Sequence, residues 1–196
     1  MIKPQKGWGR KTIAGLLGLV LSVLPGCFKG GSIGAYVGSH APSSQNQGVV
    51  RFDNSTETGI RARAKTKSKV EVEVAYSGHE TSYEDAIQRD ELDVKDLSVS
   101  ASYPVWSNRT ISVNVGAGAV SRSENQTGRI LGVPGSVSKD RTSTGWRAGV
   151  EARWQPHKNV SVEAGLDFHG FGDGSWESGS YEKSGTTLSV GASYNF

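Results

Sequence analysis

The chain has 196 residues, with 22 lysine and arginine residues, 19 aspartate and glutamate residues and one cysteine. The single cysteine excludes an internal disulfide. Four of the basic residues and none of the acidic ones lie in residues 1–26, which leaves 18 basic against 19 acidic side chains in the remainder. The positive charge therefore belongs to the first segment, and the chain is not expected to bind nucleic acid.

The first 26 residues have the pattern of an export signal. Lys3, Lys6, Arg10 and Lys11 precede an apolar run over residues 12–24. This run is shorter than the stretch of about 20 apolar residues that a transmembrane helix needs. The pattern predicts a signal peptide over residues 1–26.

The end of this segment carries a short motif around the cysteine. Leu24, Gly26 and Cys27 resemble the lipobox of bacterial lipoproteins, although Pro25 departs from the usual pattern. The resemblance implies that Cys27 becomes the mature N-terminus and is acylated, for example with palmitate. Residues 27–31 would then form a lipidated segment. The alternative is cleavage further along, for instance after Ser32, with Cys27 an incidental residue.

The rest of the chain alternates apolar and polar residues in repeated short segments, which is typical of half-buried strands. Eight strands are predicted over residues 32–39, 58–64, 70–79, 96–106, 110–122, 145–155, 160–170 and 184–196. About 9–11 residues of a tilted strand cross a membrane, so the segments are long enough for a small transmembrane barrel.

The connections between these strands alternate in length. Short turns are predicted near residues 65–68, 107–109 and 156–159, and long loops over 40–57, 80–95, 123–144 and 171–183. This alternation favours an up-and-down barrel with outer loops on one side and periplasmic turns on the other. The first strand then starts on the periplasmic side, close to Cys27.

The last strand ends on an aromatic residue at the tip of an apolar face. Leu188, Val190, Ala192, Tyr194 and Phe196 alternate with small polar residues. Here the chain resembles bacterial outer-membrane β-barrels, whose final strand ends in an aromatic residue that the barrel-assembly machinery reads. The resemblance implies that Tyr194 and Phe196 are the assembly signal, and that the protein is located in the bacterial outer membrane.

One face of each predicted strand is apolar, and the other is charged or carries very small side chains. We expect the apolar faces to meet lipid and aromatic residues such as Trp146 and Trp154 to form girdles at strand ends. The charged faces then fill the lumen as a closed polar plug with nearly balanced charge. The candidate network comprises Arg61, Arg63, Glu71, Glu73, Arg147, Glu151, Arg153, Glu163 and Asp167.

The predicted fold is thus all-β: an eight-stranded antiparallel up-and-down transmembrane barrel over residues 32–196 with a charged, plugged lumen. Alternation alone does not distinguish the inside of a barrel from its outside. A soluble β-barrel lipoprotein with its apolar faces turned inward is the structural alternative.

No catalytic, cofactor or metal-binding motif stands out in the sequence. Two enzyme families that modify lipid A share the fold expected here. The deacylases pair a histidine with a serine two residues later, but His169 is followed by Gly170 and Phe171. The palmitoyltransferases need an apolar lumen, whereas this lumen is predicted to be charged. His169 is expected to be a polar lumen residue, and an enzyme of lipid A remains an alternative by fold analogy only.

The outer loops are the remaining place for chemistry. The second predicted loop, residues 79–96, is acidic, and the third carries Arg122, Arg129, Lys139 and Arg141. The chain resembles small barrels of the OmpX/Ail and OmpA-transmembrane type, which implies a structural or surface-interaction role. Expected partners are outer-membrane lipids, lipopolysaccharide, the barrel-assembly machinery and a host or surface ligand at the loops. A narrow channel is a third hypothesis.

Overall fold

The computed structural model describes residues 28–42, 54–84, 88–130, 135–171, 174–176, 179–181 and 184–196. Strands cover nearly all of them: β1 (Phe28–Pro42), β2 (Ser55–Thr66), β3 (Glu71–Glu84), β4 (Gln88–Ser107), β5 (Ile111–Ile130), β6 (Val137–His157), β7 (Val160–Phe171), β8 (Gly174–Trp176), β9 (Gly179–Tyr181) and β10 (Gly185–Asn195). Within these ranges no helix is long and apolar enough to cross a membrane.

Eight of the strands form one closed sheet. Their order around the barrel is β1-β10-β7-β6-β5-β4-β3-β2, with every neighbouring pair antiparallel. β8 and β9 pair only with each other. The barrel closes between β1 and β10, where Ser32 pairs with Asn195 and Pro42 with Gly185. The predicted eight-stranded up-and-down barrel is confirmed.

The turns at the end of the barrel that was predicted to face the periplasm are short and carry their own hydrogen bonds. Between β2 and β3, the amide of Thr66 donates to the carbonyl of Val70 at 2.8 Å, and Lys69 adopts a φ of 69°. Between β4 and β5, the Asn108 side chain accepts the amides of Thr110 and Ile111 at 2.9 and 2.8 Å. Asparagine is suited to such a turn because its short side chain can replace a backbone acceptor.

The outer surface of the barrel carries an apolar belt. Its members alternate with lumen residues and are exposed or half-exposed; Leu188, for example, is 62% exposed. The belt on the five longest apolar faces comprises Leu97, Val99, Ala101, Tyr103 and Val105 on β4, Ile111, Val113, Val115, Ala117 and Ala119 on β5, Trp146, Ala148, Val150, Ala152 and Trp154 on β6, Val160, Val162, Ala164, Leu166 and Phe168 on β7, and Leu188, Val190, Ala192, Tyr194 and Phe196 in the last strand and its tip. A nine-residue stretch such as 97–105 matches the length of strand that crosses a bilayer. The apolar faces therefore point outward, which overturns the inward-facing alternative.

Three strands are much longer than the sequence pattern indicates. β4, β5 and β6 have 20, 20 and 21 residues, and they stay paired beyond the belt. Most of the predicted loops 80–95 and 123–144 is therefore strand. The outward faces of these extensions are polar, and their inward faces are mostly polar apart from residues such as Leu92 and Val94. The outward apolar alternation that marks a membrane strand is therefore lost while backbone pairing continues. β1 also begins at Phe28, four residues before the predicted start.

Candidate functional site

The nine charged residues named from the sequence all point into the barrel. Arg61, Arg63, Glu71, Glu73 and Glu163 are buried, and the other four are partly buried. They come from β2, β3, β6 and β7, so they meet across the lumen rather than along one strand pair. We call these nine residues the lumen ion-pair network. The charged interior predicted from the sequence is confirmed.

Arg63 lies at the centre of this network. Its guanidinium donates to Glu73 at 2.7 Å, to Glu163 at 2.6 Å and to Glu151. Glu163, only 1% exposed, also accepts hydrogen bonds from the hydroxyls of Ser193 at 3.0 Å and Ser161 at 3.4 Å. Buried charges require this combination of opposite charge and hydrogen bonding, because an unpaired charge is costly in a low-dielectric interior.

The other three arginines extend the network along the barrel. Arg61 bridges to Glu151 at 2.8 Å, and Arg147 holds Asp167 through two hydrogen bonds of 3.0 and 2.9 Å.

Arg153 completes the periplasmic end of the network. It holds Glu71 through bonds of 2.9 and 2.8 Å and lies 3.4 Å from Glu163. Glu71 lies opposite Lys65 in the register of β2 and β3, and the two charged groups are 3.6 Å apart. The shorter bonds to Glu71 come from Arg153 on the opposite wall, because arginines on β6 reach across the narrow lumen.

Small residues of β4, β5 and β6 leave one cavity beside the network. It has a volume of about 50 Å³ and is bordered by Ser100, Ser102, Asn114, Gly116 and Gly149. Such a space accommodates water, whereas small-molecule sites occupy about 300–1,000 Å³. It is polar and too small for an acyl chain.

A second group of polar side chains closes the outer end of the lumen. His40, His79 and His169 are buried there; the rings of His40 and His79 stack at 4.6 Å, and His169 meets His40 edge-on at 6.1 Å. We call these three residues the histidine cluster. His169 was expected in the lumen. His40 was assigned to a loop and His79 to a strand end, and only the structure brings all three together.

The carboxylates near the histidine cluster are engaged by other groups. Glu57 accepts hydrogen bonds from the hydroxyls of Tyr36 at 3.1 Å and Thr187 at 2.9 Å. Asp96 holds Arg122 through bonds of 2.9 and 2.7 Å, and the Arg122 guanidinium stacks on the Phe171 ring at 4.1 Å. Asp96 and Arg122 were placed at the outer ends of their predicted strands, and Arg122 was also counted with the third outer loop. The loop assignment of Arg122 was wrong because both strands continue past the belt, and alternation turns both side chains inward.

The extensions of β3, β4 and β5 border an open pocket of about 460 Å³ on the outer side. Its lining includes Glu80, Arg89, Glu91 and Asp93. Arg89 pairs with Glu91 at 3.1 Å, and Lys95 pairs with Asp93 at 2.6 Å. The hydrogen bond to Asp93 raises the pKa of Lys95, which lies just beyond the belt. This surface has mixed charge, and its ion pairs are exposed.

The C-terminal aromatic residues lie on the outer surface at the periplasmic end. Tyr194 and Phe196 are each more than half exposed. The backbone of Phe196 continues the closure of the barrel, with its amide donating to Gly31 at 2.9 Å and its carbonyl accepting from Gly31 at 3.1 Å. Cys27, the proposed lipidation site, lies outside the described residues.

A closed antiparallel barrel with an apolar belt and a filled, charged lumen defines the class of transmembrane β-barrels. The chain belongs to the family described as outer membrane protein beta-barrel domain, whose model matches residues 12–196. The protein is therefore an outer-membrane barrel. No curated protein matches the chain significantly.

Solved structures share the fold at low sequence identity. Neisserial surface protein A (NspA) is 16% identical with a TM-score of 0.61, and the match covers 85% of this chain and 97% of that one. OprG from Pseudomonas aeruginosa is 12% identical with a TM-score of 0.58, covering 87% and 98%. Ail, the attachment invasion locus protein of Yersinia pestis, is 15% identical with a TM-score of 0.54, covering 85% and 97%. Ail has also been solved in complex with the heparin analogue sucrose octasulfate, in a structure 14% identical with a TM-score of 0.54, covering 85% and 97%.

Proposed function

We propose that this protein is a non-enzymatic outer-membrane barrel that has a structural or surface-interaction role through its extracellular end. The observation that carries the proposal is the lumen ion-pair network, in which Arg63 hydrogen-bonds to three carboxylates. A lumen filled in this way leaves little room for a substrate, so the outer surface is where a partner can bind.

A sulfated glycan is the first ligand to test at that surface. The likeness to Ail, solved with a heparin analogue, motivates the probe, and Lys139 and Arg141 at the start of β6 supply outer-side positive charge. We expect purified barrel in nanodiscs to be retained on immobilised heparin, with retention falling as salt rises because the attraction is electrostatic.

The heparin experiment has a matched charge control. The double variant Lys139→Glu/Arg141→Glu should elute at lower salt than the parent. The double variant Lys67→Glu/Lys69→Glu makes the same charge change at a periplasmic turn and should elute later than the outer-face variant. Equal elution of the two variants would reject the outer surface as the binding site.

The enzymatic alternative is tested on the lipid itself. We expect the mass spectrum of lipid A to be the same in cells with and without the gene. A change in acyl-chain number or mass that depends on the gene would establish lipid-A chemistry and overturn the non-enzymatic assignment.

The channel alternative depends on the same network. We expect the parent barrel to give negligible conductance in planar bilayers. Arg153→Ala and Glu163→Ala should raise leakage because each removes part of the plug, whereas Lys65→Ala, at an exposed ion pair, should not. A parent barrel that conducts strongly would show that the plug does not close the lumen.

We further propose that residues 1–26 are removed as a signal peptide and that Cys27 carries a lipid anchor. β1 starts at Phe28 on the periplasmic side, which would place the acyl chains beside the inner leaflet of the outer membrane. Metabolic labelling with a clickable fatty acid should label the parent and not the Cys27→Ser variant. An unlabelled parent would reject the anchor.

A further inference from the structure

The histidine cluster is placed where it could respond to the outside medium. Each of its members lies just beyond the last large apolar residue that its strand turns toward lipid: Val37 on β1, Tyr76 on β3 and Phe168 on β7. His40 is held by a hydrogen bond of 3.0 Å between Nδ1 and the Thr187 hydroxyl. The cluster therefore lies at the outer mouth of the barrel rather than among the ion pairs of the mid-lumen.

The surroundings of the three rings favour neutral imidazoles over imidazolium ions. Among the residues that the structure describes, neither buried ring nitrogen of His169 has a hydrogen-bond partner. Apolar side chains at this end of the lumen include Val94, Val120 and Phe171, all buried. A neutral imidazole is tolerated in such a setting, but a buried imidazolium without a partner is strongly disfavoured.

The surrounding charges do not neutralise three imidazolium ions. The charged and titratable groups that face the cluster are Tyr36 on β1, Glu57 on β2, Asp93 and Asp96 on β4, Arg122 and Glu124 on β5, and Arg147 on β6. Asp96 is paired with Arg122, which also interacts with Glu124; Asp93 is paired with Lys95, and Arg147 with Asp167. Glu57 can offset one proton, but it is already shared by two hydroxyls, and the stacked pair His40 and His79 cannot both become cations without repulsion.

We propose that the histidine cluster is an acid-operated latch, in which protonation at mildly acidic pH opens the outer mouth while the lumen ion-pair network below stays intact. The inference goes beyond the proposed surface role and does not depend on it. The open mouth exposes the rings to water and takes up more protons than the closed one. The closed mouth is therefore the more stable state above the ordinary imidazole pKa of about 6.5. Its stability relative to the open mouth falls as the pH drops below that value.

Protonation is a better fit to this cluster than metal binding. Within the part of the chain that the structure describes, no group of three or more histidine, cysteine, aspartate or glutamate side chains is arranged to hold a metal ion. The parallel stack of His40 and His79, with an interplanar angle of 26°, does not point the two rings at a common centre.

Hydrogen exchange read by mass spectrometry tests the latch in full-length protein in nanodiscs. After correction for the intrinsic effect of pH, peptides from the outer ends of β1, β3 and β7 should lose protection by about tenfold or more between pH 7.5 and 5.0. Peptides from the periplasmic halves of β2 and β6, which carry the network, should keep theirs. Uniform loss along the barrel, or no loss at the mouth, would overturn the proposal.

Variants separate the latch from general acid sensitivity. His79→Gln and His169→Gln should remove the pH response of the mouth, while His157→Gln, at the periplasmic end of β6, should retain it. Glu57→Gln keeps the hydrogen-bonding shape but removes the one offsetting charge, so opening at pH 5.0 should be more extensive. If the histidine variants fail to fold, the histidine rings of the parent protein can be titrated by NMR instead. Ring titration near pH 6.5 with unchanged amide chemical shifts at the mouth would contradict the latch.

Discussion

The guanidinium of Arg63 hydrogen-bonds to three carboxylates, more than any other arginine described in the lumen. Its partners come from β3, β6 and β7, at sequence separations of 10, 88 and 100 residues. Removing this cation takes the strongest hydrogen-bond donor from three carboxylates that lie close together and are then shared by Arg61, Arg147 and Arg153. A single side chain therefore supports the packing of four strands.

We predict that Arg63→Met lowers the free energy of unfolding by about 3–5 kcal/mol, the usual cost of breaking a buried charge arrangement. Urea unfolding in lipid vesicles, followed by tryptophan fluorescence, measures the change. Lys65→Met is the matched control, because its ion pair with Glu71 spans 3.6 Å and the lysine side chain is half exposed. The control should cost no more than about 1 kcal/mol. Equal losses in the two variants would contradict the central role of Arg63.

Close packing at Gly118 provides a second residue-level prediction. A Cβ atom there would lie 2.1 Å from the carbonyl oxygen of Val99 and 2.5 Å from the Cα of Ser100. At Gly165 the nearest atom is the Ser189 hydroxyl at 3.0 Å, which can rotate away. Gly118→Ala should therefore destabilise the barrel by about 1–3 kcal/mol, and Gly165→Ala by less. The same unfolding assay measures both losses of stability. A larger loss for Gly165→Ala than for Gly118→Ala would show that β4 and β5 can separate to accommodate the added methyl group.

Within a single strand, the position of an outward-facing residue relative to the apolar belt determines whether a charged substitution is tolerated there. β5 runs from Ile111 to Ile130, with Val115 at the middle of its apolar stretch and Ser123 beyond it. Both side chains are exposed, so neither substitution disturbs the lumen. The two positions differ in whether the surrounding medium is hydrocarbon or water.

We predict that Val115→Arg costs about 2–4 kcal/mol of folding free energy in vesicles, while Ser123→Arg costs about 0–1 kcal/mol. Arginine is expensive at the bilayer midplane and nearly neutral near the interface. Equilibrium unfolding in a bilayer of defined thickness gives both values. A small cost at Val115 would mean that the belt does not face lipid.

The extensions of β4, β5 and β6 show what the apolar pattern cannot reveal. Alternation predicts the membrane-spanning half of each strand, because hydrocarbon demands apolar side chains on one face. Above the belt the two strands stay paired, for example at Lys95 and Ser123, but no hydrocarbon requires apolar side chains there. Strand and loop have the same polar composition there, so the true ends of these strands come from backbone pairing alone.

At the scale of the whole molecule, the barrel is closed by its last strand. β10 pairs with β1 over Ser32–Asn195 to Pro42–Gly185, and Phe196 extends that pairing to Gly31. The exposed ring of Phe196 contributes little to the lumen. The role proposed for Phe196 is therefore in the assembly of the barrel into the outer membrane.

We predict that Phe196→Ala lowers the amount of folded barrel in cells several-fold but leaves its unfolding free energy in detergent within about 1 kcal/mol of the parent. Leu188→Ala, on the same outward face of β10, should reduce assembly much less. Heat-modifiable migration of outer-membrane fractions on SDS gels measures the folded amount. Equal assembly of the two variants would reject the terminal aromatic as a signal.

Chain patterning by itself determined the barrel, the number of strands in it and the grouping of charges such as Arg61 and Glu163 on one face of their strands. It could do so because side chains on a strand alternate strictly between two faces. That this charged face is the lumen was decided by the tertiary structure. Tertiary structure alone decided which charges meet, as in Arg153 with Glu71, and gathered His40, His79 and His169 at one mouth. Those contacts depend on register, closure and the reach of side chains across the lumen, and none of these is encoded in the local alternation of apolar and polar residues.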